Sequence, residues 1–513
     1  MLDPASVFYY YHWKRYPGWA VLAAITLNVL ALATLFRLGA YLARRSPRPL
    51  VRSLMHAAFL VAVLFALNSI RLQLDSLLVS SLLQRLGRAG LVVLLLLLGV
   101  VAVYLLRRFP LRRLSRFAQT LVLILSPLVL FNFAQGFWLT LQYASMLSDK
   151  PTASMLPPKS PNRARVLWLI FDEMDERIAF PEGAPRVSLP ELERLRAESV
   201  YATNAYPPAG ETLLSMPAYI TGRLVSKAKQ LRPDELELRF TDSDERVFWS
   251  KYPNVFSRAR SLGYNTALVG WFHPYCRLLS ESLTTCSWQT GMAVTDDEKL
   301  TVVQNMLFQL RTLVLSLPFW KRVESTQQLD DLLFRNRARR NFKASFIARH
   351  QAIRAEALKT ITRPELELTM IHLAVPHPPG IYNRRTGRFS TEPESSYLDN
   401  LALTDKTFGE LRRTLEDARL WDSTTIVVTS DHWLRFDTLK SLAHWRSPED
   451  QALVGLNSHR VPFILKLAGH TEGFRYDSTF NTVVTHDLIL ALLRGELNNP
   501  QQIVRWLDEH KSK

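Results

Sequence analysis

The chain has 513 residues, 48% of them hydrophobic and 21% charged, with a net charge of +17. That length allows two to four domains, and that composition excludes a disordered chain, a collagen and a small disulfide scaffold. The charge is unevenly placed: residues 1–150 hold 16 Lys/Arg against Asp3, Asp75 and Asp149, which leaves 47 basic and 43 acidic residues in 151–513. A basic excess confined between apolar segments is a topology signal, so no nucleic-acid partner is expected.

Four stretches approach the roughly 20 apolar residues that a membrane helix needs. They are Trp19–Phe36, Leu54–Ile70, Ala89–Leu106 and Phe117–Leu141. The second is interrupted by His56 and Asn68, and Leu72–Leu86, with Asp75, Gln84 and Arg85, reads as an interfacial helix or a marginal fifth element. Arg37, Arg44, Arg45, Arg48 and Arg52 fill the first connection, and Arg107, Arg108, Arg112, Arg113 and Arg116 the third. The positive-inside rule makes both cytoplasmic, with the N-terminus and everything after Leu141 outside. No cleavable signal is expected, because the first span lacks a small-residue cleavage site. Residues 1–147 are thus predicted as a transmembrane domain of about four helices, 148–164 as a Pro/Ser-rich linker, and 165–513 as an exported domain.

In the exported part, short buried-strand patterns alternate with helical ones. Arg165–Phe171, Thr266–Gly270, Leu368–Leu373, Thr425–Thr429 and Pro462–Leu467 read as strands, and Leu189–Ser199 and a long stretch around Gln327–Thr360 as helices. The alternation predicts an α/β fold with a mainly parallel central sheet. No internal repeat, Walker loop, dinucleotide fingerprint or zinc-finger spacing is visible. Such sheets place ligands at the carboxyl ends of their strands. There the chain has Asp172 and Glu173, Asp431 and His432, His273, and His377. Any one pair is ordinarily a cap or a turn. Jointly, carboxylates and imidazoles on one sheet edge are oxygen and nitrogen ligands suited to Zn or Mn, less so to Ca or Mg. Nine residues separate Cys276 and Cys286 in an exported loop, which favours a disulfide over two free buried thiols.

At Thr212–Arg223 the sequence reads T-L-L-S-M-P-A-Y-I-T-G-R. This resembles the sulfatase branch of the alkaline phosphatase superfamily, whose members carry C-x-P-x-R, an apolar helix and T-G-R at the same spacing. Thr212 falls on the nucleophile position and Met216 on the Arg position. Envelope phosphoethanolamine transferases carry T-x-x-S-x-P there, matched by Thr212, Ser215 and Pro217. Asp172 and Glu173 fall on the family's acidic ligands, and Asp431 and His432, in S-D-H-W, on its S-D-H-G motif. His273, in G-W-F-H, falls on the His of G-K-W-H, with Trp271 in place of the Lys, and His377 resembles the substrate-side His of P-H-x-P. The resemblance covers about residues 163–495; the membrane part resembles phosphoethanolamine transferases and lipoteichoic acid synthases only in plan.

The resemblance implies a bacterial cell-membrane enzyme, multi-pass, with an exported catalytic domain. A metal held by Asp172, Asp431, His432 and Thr212, with Glu173 as a further ligand, would activate the Thr212 hydroxyl. Thr212 would take a phosphoethanolamine or glycerophosphate head group from a membrane phospholipid and pass it to an envelope glycan or lipid. His377 and His273 would bind phosphoryl oxygens or protonate the leaving group. His444, twelve residues after His432, and His459 are alternative candidates for a second metal or the substrate. Hydrolysis within the same superfamily and a non-catalytic membrane protein are the alternatives. For Thr212 by itself, the plain alternative is a helix N-cap.

Overall fold

A computed structural model describes residues 18–73, 100, 111–125, 127–146, 149–157, 163–290, 301–315, 324–392, 394–436, 447–456 and 459–512. The chain groups into two compact units, one of Tyr16–Tyr143 with Lys299–Leu333, the other of Met1–Arg15, Ala144–Glu298 and Phe334–Lys513.

The first unit contains helices α1 (Gly18–Arg45), α2 (Pro49–Gln73), α3 (Leu111–Leu125) and α4 (Pro127–Met146). Within α1, Trp19–Leu42 is long and apolar enough to cross a membrane, and it is the one such helix among the described residues. The expected first and second spans lie on α1 and α2. Nearly all of Ala89–Leu106 and Leu72–Leu86 falls outside the described residues. The expected span Phe117–Leu141 lies on α3, described to Leu125, and α4, described from Pro127, with residue 126 outside the described residues. His56, which interrupts the apolar run of α2, is paired: its Nδ1 lies 2.7 Å from the Ser115 hydroxyl on α3.

The second unit is built on an eight-stranded sheet. Its strands are β1 (Arg165–Asp172), β2 (Val200–Ala202), β3 (Thr266–Phe272), β4 (Thr285–Thr290), β5 (Leu368–Pro376), β6 (Thr424–Ser430), β7 (Phe463–Lys466) and β8 (Phe474–Tyr476). In space the order is β8-β2-β7-β6-β1-β5-β3-β4. β6, β1, β5, β3 and β4 run parallel, while β7 is antiparallel to both its neighbours. Every residue of β1, β5 and β6 is buried, as continuous apolar strands covered on both faces require. On β1, Val166, Trp168 and Ile170 face one core with Met216 and Tyr219, and Leu167, Leu169 and Phe171 face the other with Leu401 and Phe408. Met216 and Tyr219 belong to α5 (Thr212–Thr221).

Register fixes the functional edge. Phe171 on β1 pairs with Ser430 on β6, so the next residues, Asp172 and Asp431, come out side by side. The Asp431 N–H donates to the Phe171 carbonyl at 3.1 Å, and the Ser430 hydroxyl accepts from the Met174 N–H at 2.8 Å. The two strand ends are thereby tied together.

One segment of the sequence after residue 165 folds elsewhere. Helix α6 (Val302–Leu315) packs against α1 in the first unit, although the chain on both sides of Lys299–Leu333 belongs to the second.

Candidate active site

The nucleophile candidate sits at the first residue of α5. Its hydroxyl is not used to cap that helix: Glu211 is the N-cap, and Thr212 Oγ1 donates instead to Asp431 Oδ2 at 2.7 Å. The same oxygen lies 3.3 Å from His432 Nε2. Thr212 is 4% exposed. His273, at the end of β3, donates from Nε2 to the Thr212 carbonyl at 3.1 Å and so holds the backbone that carries the hydroxyl.

Asp172, Asp431 and His432 form the centre of the cluster. One ligand atom from each lies within 4.8 Å of the others, and all three residues are buried. His432 Nε2 is 3.6 Å from Asp172 Oδ1 and 3.5 Å from Asp431 Oδ2. On the other side of the ring, Nδ1 lies 2.9 Å from the Trp433 carbonyl. A carbonyl can only accept, so Nδ1 carries the proton and Nε2 presents its lone pair to the carboxylates. The Trp in place of the motif's Gly therefore leaves the imidazole correctly presented. Asp431 Oδ1 is held by the backbone N–H of Glu173 at 3.1 Å and of His432 at 2.7 Å. Glu173 reaches it by adopting φ +61°, a left-handed backbone uncommon outside glycine.

Asp172 is the exception to this pairing. Neither of its oxygens accepts a well-formed hydrogen bond among the described residues. Burial raises its pKa well above the carboxylate range, and Asp431 and Glu173 push it the same way. A buried carboxylate so weakly hydrogen-bonded is costly unless a cation neutralises it. The donor set fits a divalent ion, whose ligands at about 2.0–2.2 Å stand about 3–4 Å from one another, so these three need only close slightly. The mix of two carboxylates and one imidazole suits Zn or Mn.

The remaining expected residues take other places. Glu173 lies on the Nδ1 side of His432, at 3.9 Å, and its Oε1 accepts from Arg435 Nε at 3.0 Å. It is thus held by an arginine and stands apart from the Nε2-centred donor set. For His273, expected to bind phosphoryl oxygens or protonate the leaving group, the Nε2–H is taken by the Thr212 carbonyl, and burial lowers its pKa to about 3. His377 donates from Nδ1 to the Pro378 carbonyl and packs beside the rings of Trp271 and Phe346. Burial lowers its pKa to about 4, so it is a neutral imidazole that can accept a proton at Nε2 but does not carry one to deliver. His459 is exposed and its ring lies against that of Trp433, with centroids 4.3 Å apart and planes tilted by 31°, and it is not among the three buried ligand candidates. His444 lies outside the described residues. Cys276 and Cys286 form a disulfide, with Cα atoms 5.5 Å apart, that ties the short helix Tyr275–Leu278 to β4.

Sequence reasoning missed His372 and Arg435. His372 Nε2 lies 4.0 Å from Asp431 Oδ2, while Nδ1 is 3.0 Å from the Tyr275 hydroxyl. The close approach depends on Gly270: a Cβ there would lie 3.0 Å from the Tyr275 ring and 3.3 Å from His372 Cβ. The only signal was a single His within the apolar run of β5, a pattern that usually marks a satisfied core residue. Arg435 follows the S-D-H-W motif by two residues, where nothing in the spacing marks a cation.

The chain matches the Sulfatase family model over residues 166–494 and belongs to that family. No curated protein matches it significantly. Among solved structures it is similar to a sulfatase of Bacteroides thetaiotaomicron glycosaminoglycan metabolism, at 15% identity over 66% of this chain and 79% of that one, TM-score 0.44. It is also similar to an alkaline phosphatase superfamily protein from Vibrio parahaemolyticus, at 12% identity over 68% and 72%, TM-score 0.38. A third is the phosphonate monoester hydrolase of Agrobacterium radiobacter, at 13% identity over 65% and 74%, TM-score 0.38.

Proposed function

We propose that the protein is a membrane-bound transferase that moves a phospho-head-group from a phospholipid to an envelope glycan or lipid, through a covalent phospho-threonine at Thr212. The observation that carries this reading is the placement of Thr212 Oγ1, 2.7 Å from Asp431 Oδ2 and 3.3 Å from His432 Nε2. A threonine cannot become the formylglycine of a sulfatase, and Met216, fully buried, leaves no cation at the position of the sulfatase Arg. Both departures favour phosphoryl chemistry.

Asp172, Asp431 and His432 would hold a divalent ion, Zn or Mn, with Thr212 beside it. Such an ion lowers the pKa of a hydroxyl and neutralises charge on phosphoryl oxygens. Asp431 Oδ2 receives the Thr212 proton as the oxygen attacks phosphorus. The Thr212 O–P bond forms, the bond to the diacylglycerol oxygen breaks, and the proton taken up by Asp431 passes to that oxygen as it leaves. In the second half-reaction an acceptor hydroxyl attacks the same phosphorus and loses its proton to Asp431, the Thr212 O–P bond breaks, and that proton returns to Thr212 Oγ1. The position at the start of α5 adds the favourable dipole of a helix N-terminus at the phosphoryl group. His273 positions the Thr212 backbone. The apolar α1 fits delivery of a lipid donor in the plane of an inner membrane, with the catalytic unit on the periplasmic side.

The test uses the full-length protein in vesicles of phosphatidylethanolamine carrying a labelled head group, with and without a glycan or lipid acceptor. Acceptor-dependent transfer of label with matching diacylglycerol release supports the proposal. Release of free head group at the same rate in every case would make water the acceptor and the protein a hydrolase. Turnover of a sulfate ester instead of the lipid would contradict both.

A further inference from the structure

Helix α6 has its polarity reversed relative to a water-facing helix. Asn305 is buried and Gln309 half-buried, while Val303 and Leu307 are each 62% exposed. Asn305 Nδ2 donates to the Thr301 carbonyl of its own segment at 3.2 Å, while Gln309 is spent on α1. Asn28 Nδ2 donates to the Met306 carbonyl at 3.1 Å and to Gln309 Oε1 at 2.9 Å, and Gln309 Nε2 donates to the Val21 carbonyl at 3.2 Å. On α1, Val21, Ala24 and Asn28 are buried on one stripe, and the small Ala24 lets the helices approach. The rest of α1 exposes Leu27, Leu30, Leu35 and Leu38. Inward amides and outward aliphatics are what two helices adopt in hydrocarbon, where an unpaired polar group costs several kcal/mol in order of magnitude and an exposed leucine costs nothing.

The start of α6 carries a side-chain cap of the kind found where a helix begins near water, and Arg311 is the one charged residue in the sequence of the helix. Gln304 Oε1 accepts from the Thr301 N–H at 2.7 Å, and the Thr301 hydroxyl accepts from the Gln304 N–H at 3.3 Å, a reciprocal cap. The sequence following the helix includes Phe319, Trp320, Lys321 and Arg322, an aromatic and basic composition typical of a membrane interface. The described part of α6, 14 residues, is about 21 Å long.

We infer that α6 is a membrane helix, inserted beside α1 with Val303 and Leu307 covered by lipid acyl chains, so that the catalytic sequence contains its own lipid-embedded element. The inference rests on α1 lying in the bilayer, as proposed above, and does not depend on the reaction catalysed.

The test is spin-label accessibility in the full-length protein reconstituted into phosphatidylethanolamine/phosphatidylglycerol vesicles. The two cysteines are bonded to each other, so an introduced one is labelled alone. Labels at Val303→Cys and Leu307→Cys are compared with Leu35→Cys on α1 and Lys229→Cys on an exposed strand of the catalytic unit. The expected result is that both α6 labels behave like Leu35→Cys, colliding severalfold more with oxygen than with a water-soluble nickel chelate. If both behave like Lys229→Cys while Leu35→Cys reads lipid, the inference is overturned and the membrane reading of α1 stands. If Leu35→Cys also reads water, the membrane reading fails and the inference fails with it. A split between the two α6 labels would limit lipid contact to part of the helix and overturn the inference as stated.

Discussion

The two units treat buried polar groups in opposite ways. In the first, polar side chains inside the helix pack are paired with one another: His56 with Ser115, and Asn28 with Gln309. In the second, the edge of the sheet collects Asp172, Asp431 and His432 in a buried space and leaves both oxygens of Asp172 without a well-formed hydrogen bond among the described residues. Pairing of the first kind is what structural polar groups do. A carboxylate left open beside a presented imidazole lone pair and a threonine hydroxyl is an arrangement that costs stability and invites a cation. The contrast separates residues that hold the fold from residues that hold chemistry.

Removing the hydroxyl should sharpen that contrast most. Thr212→Ala is expected to lower head-group transfer by about 10³-fold or more, because the covalent step is lost, while the melting temperature stays close to wild type. Thr212→Ser should keep measurable activity. A labelled-phospholipid assay beside a melting curve checks both, and robust turnover by Thr212→Ala would return the cluster to a structural role.

Asp172→Asn should act in opposite directions with and without metal. In the metal-free protein the folded-state pKa of Asp172 lies above its unfolded value. The folded state then binds more protons, so stability falls as pH rises from the unfolded value near 4 towards the raised folded one. Asn removes that penalty. Metal-stripped Asp172→Asn should be more stable than metal-stripped wild type at pH 7, by about 1–3 kcal/mol, with the difference shrinking towards pH 4. With metal supplied the order should reverse, because the variant loses a ligand. Melting curves across pH with chelator and with Zn or Mn, together with elemental analysis, read the effect; equal curves for the two proteins under every condition would break the comparison.

Arg435→Ala leaves Glu173 buried without its cation and should cost about 3 kcal/mol. The double variant with Glu173→Gln should recover much of that loss, measured by denaturant unfolding. Reducing the Cys276–Cys286 disulfide, or replacing both cysteines by Ala, should cost about 2–3 kcal/mol for a loop of this length. The smallest effect belongs to the first unit: Ser115→Ala removes one interhelical hydrogen bond and should cost about 0.6 kcal/mol.

Much of this was legible in the sequence because apolar strands announce both themselves and the residues that end them. Arg165–Phe171 and Thr425–Thr429 locate β1 and β6 to within a residue or so, and Asp172, Asp431 and His432 then follow from being next in line. Thr212 came from motif resemblance; what no motif could supply is that its hydroxyl turns away from α5 to Asp431. His372 stayed hidden because a histidine inside an apolar strand looks like core, and only the register of β5 against β1 and β3 brings it to the edge. Glu173 was legible as an acid but not as the partner of Arg435, since that ion pair depends on a turn the sequence does not mark. α6 was missed for a related reason: its apolar residues fit a catalytic-domain helix equally well, and only the inward placement of Asn305 and Gln309 sets it apart.

The central claim is that Thr212 becomes covalently phosphorylated, and the mass of its peptide tests it most directly. Full-length protein is incubated with head-group-labelled phosphatidylethanolamine vesicles and metal, without acceptor, quenched in acid and digested. The account predicts that the peptide bearing Thr212 gains the mass of phosphoethanolamine, carries the label, and loses both when acceptor is added before the quench. An unmodified Thr212 peptide alongside undiminished release of labelled head group would contradict it.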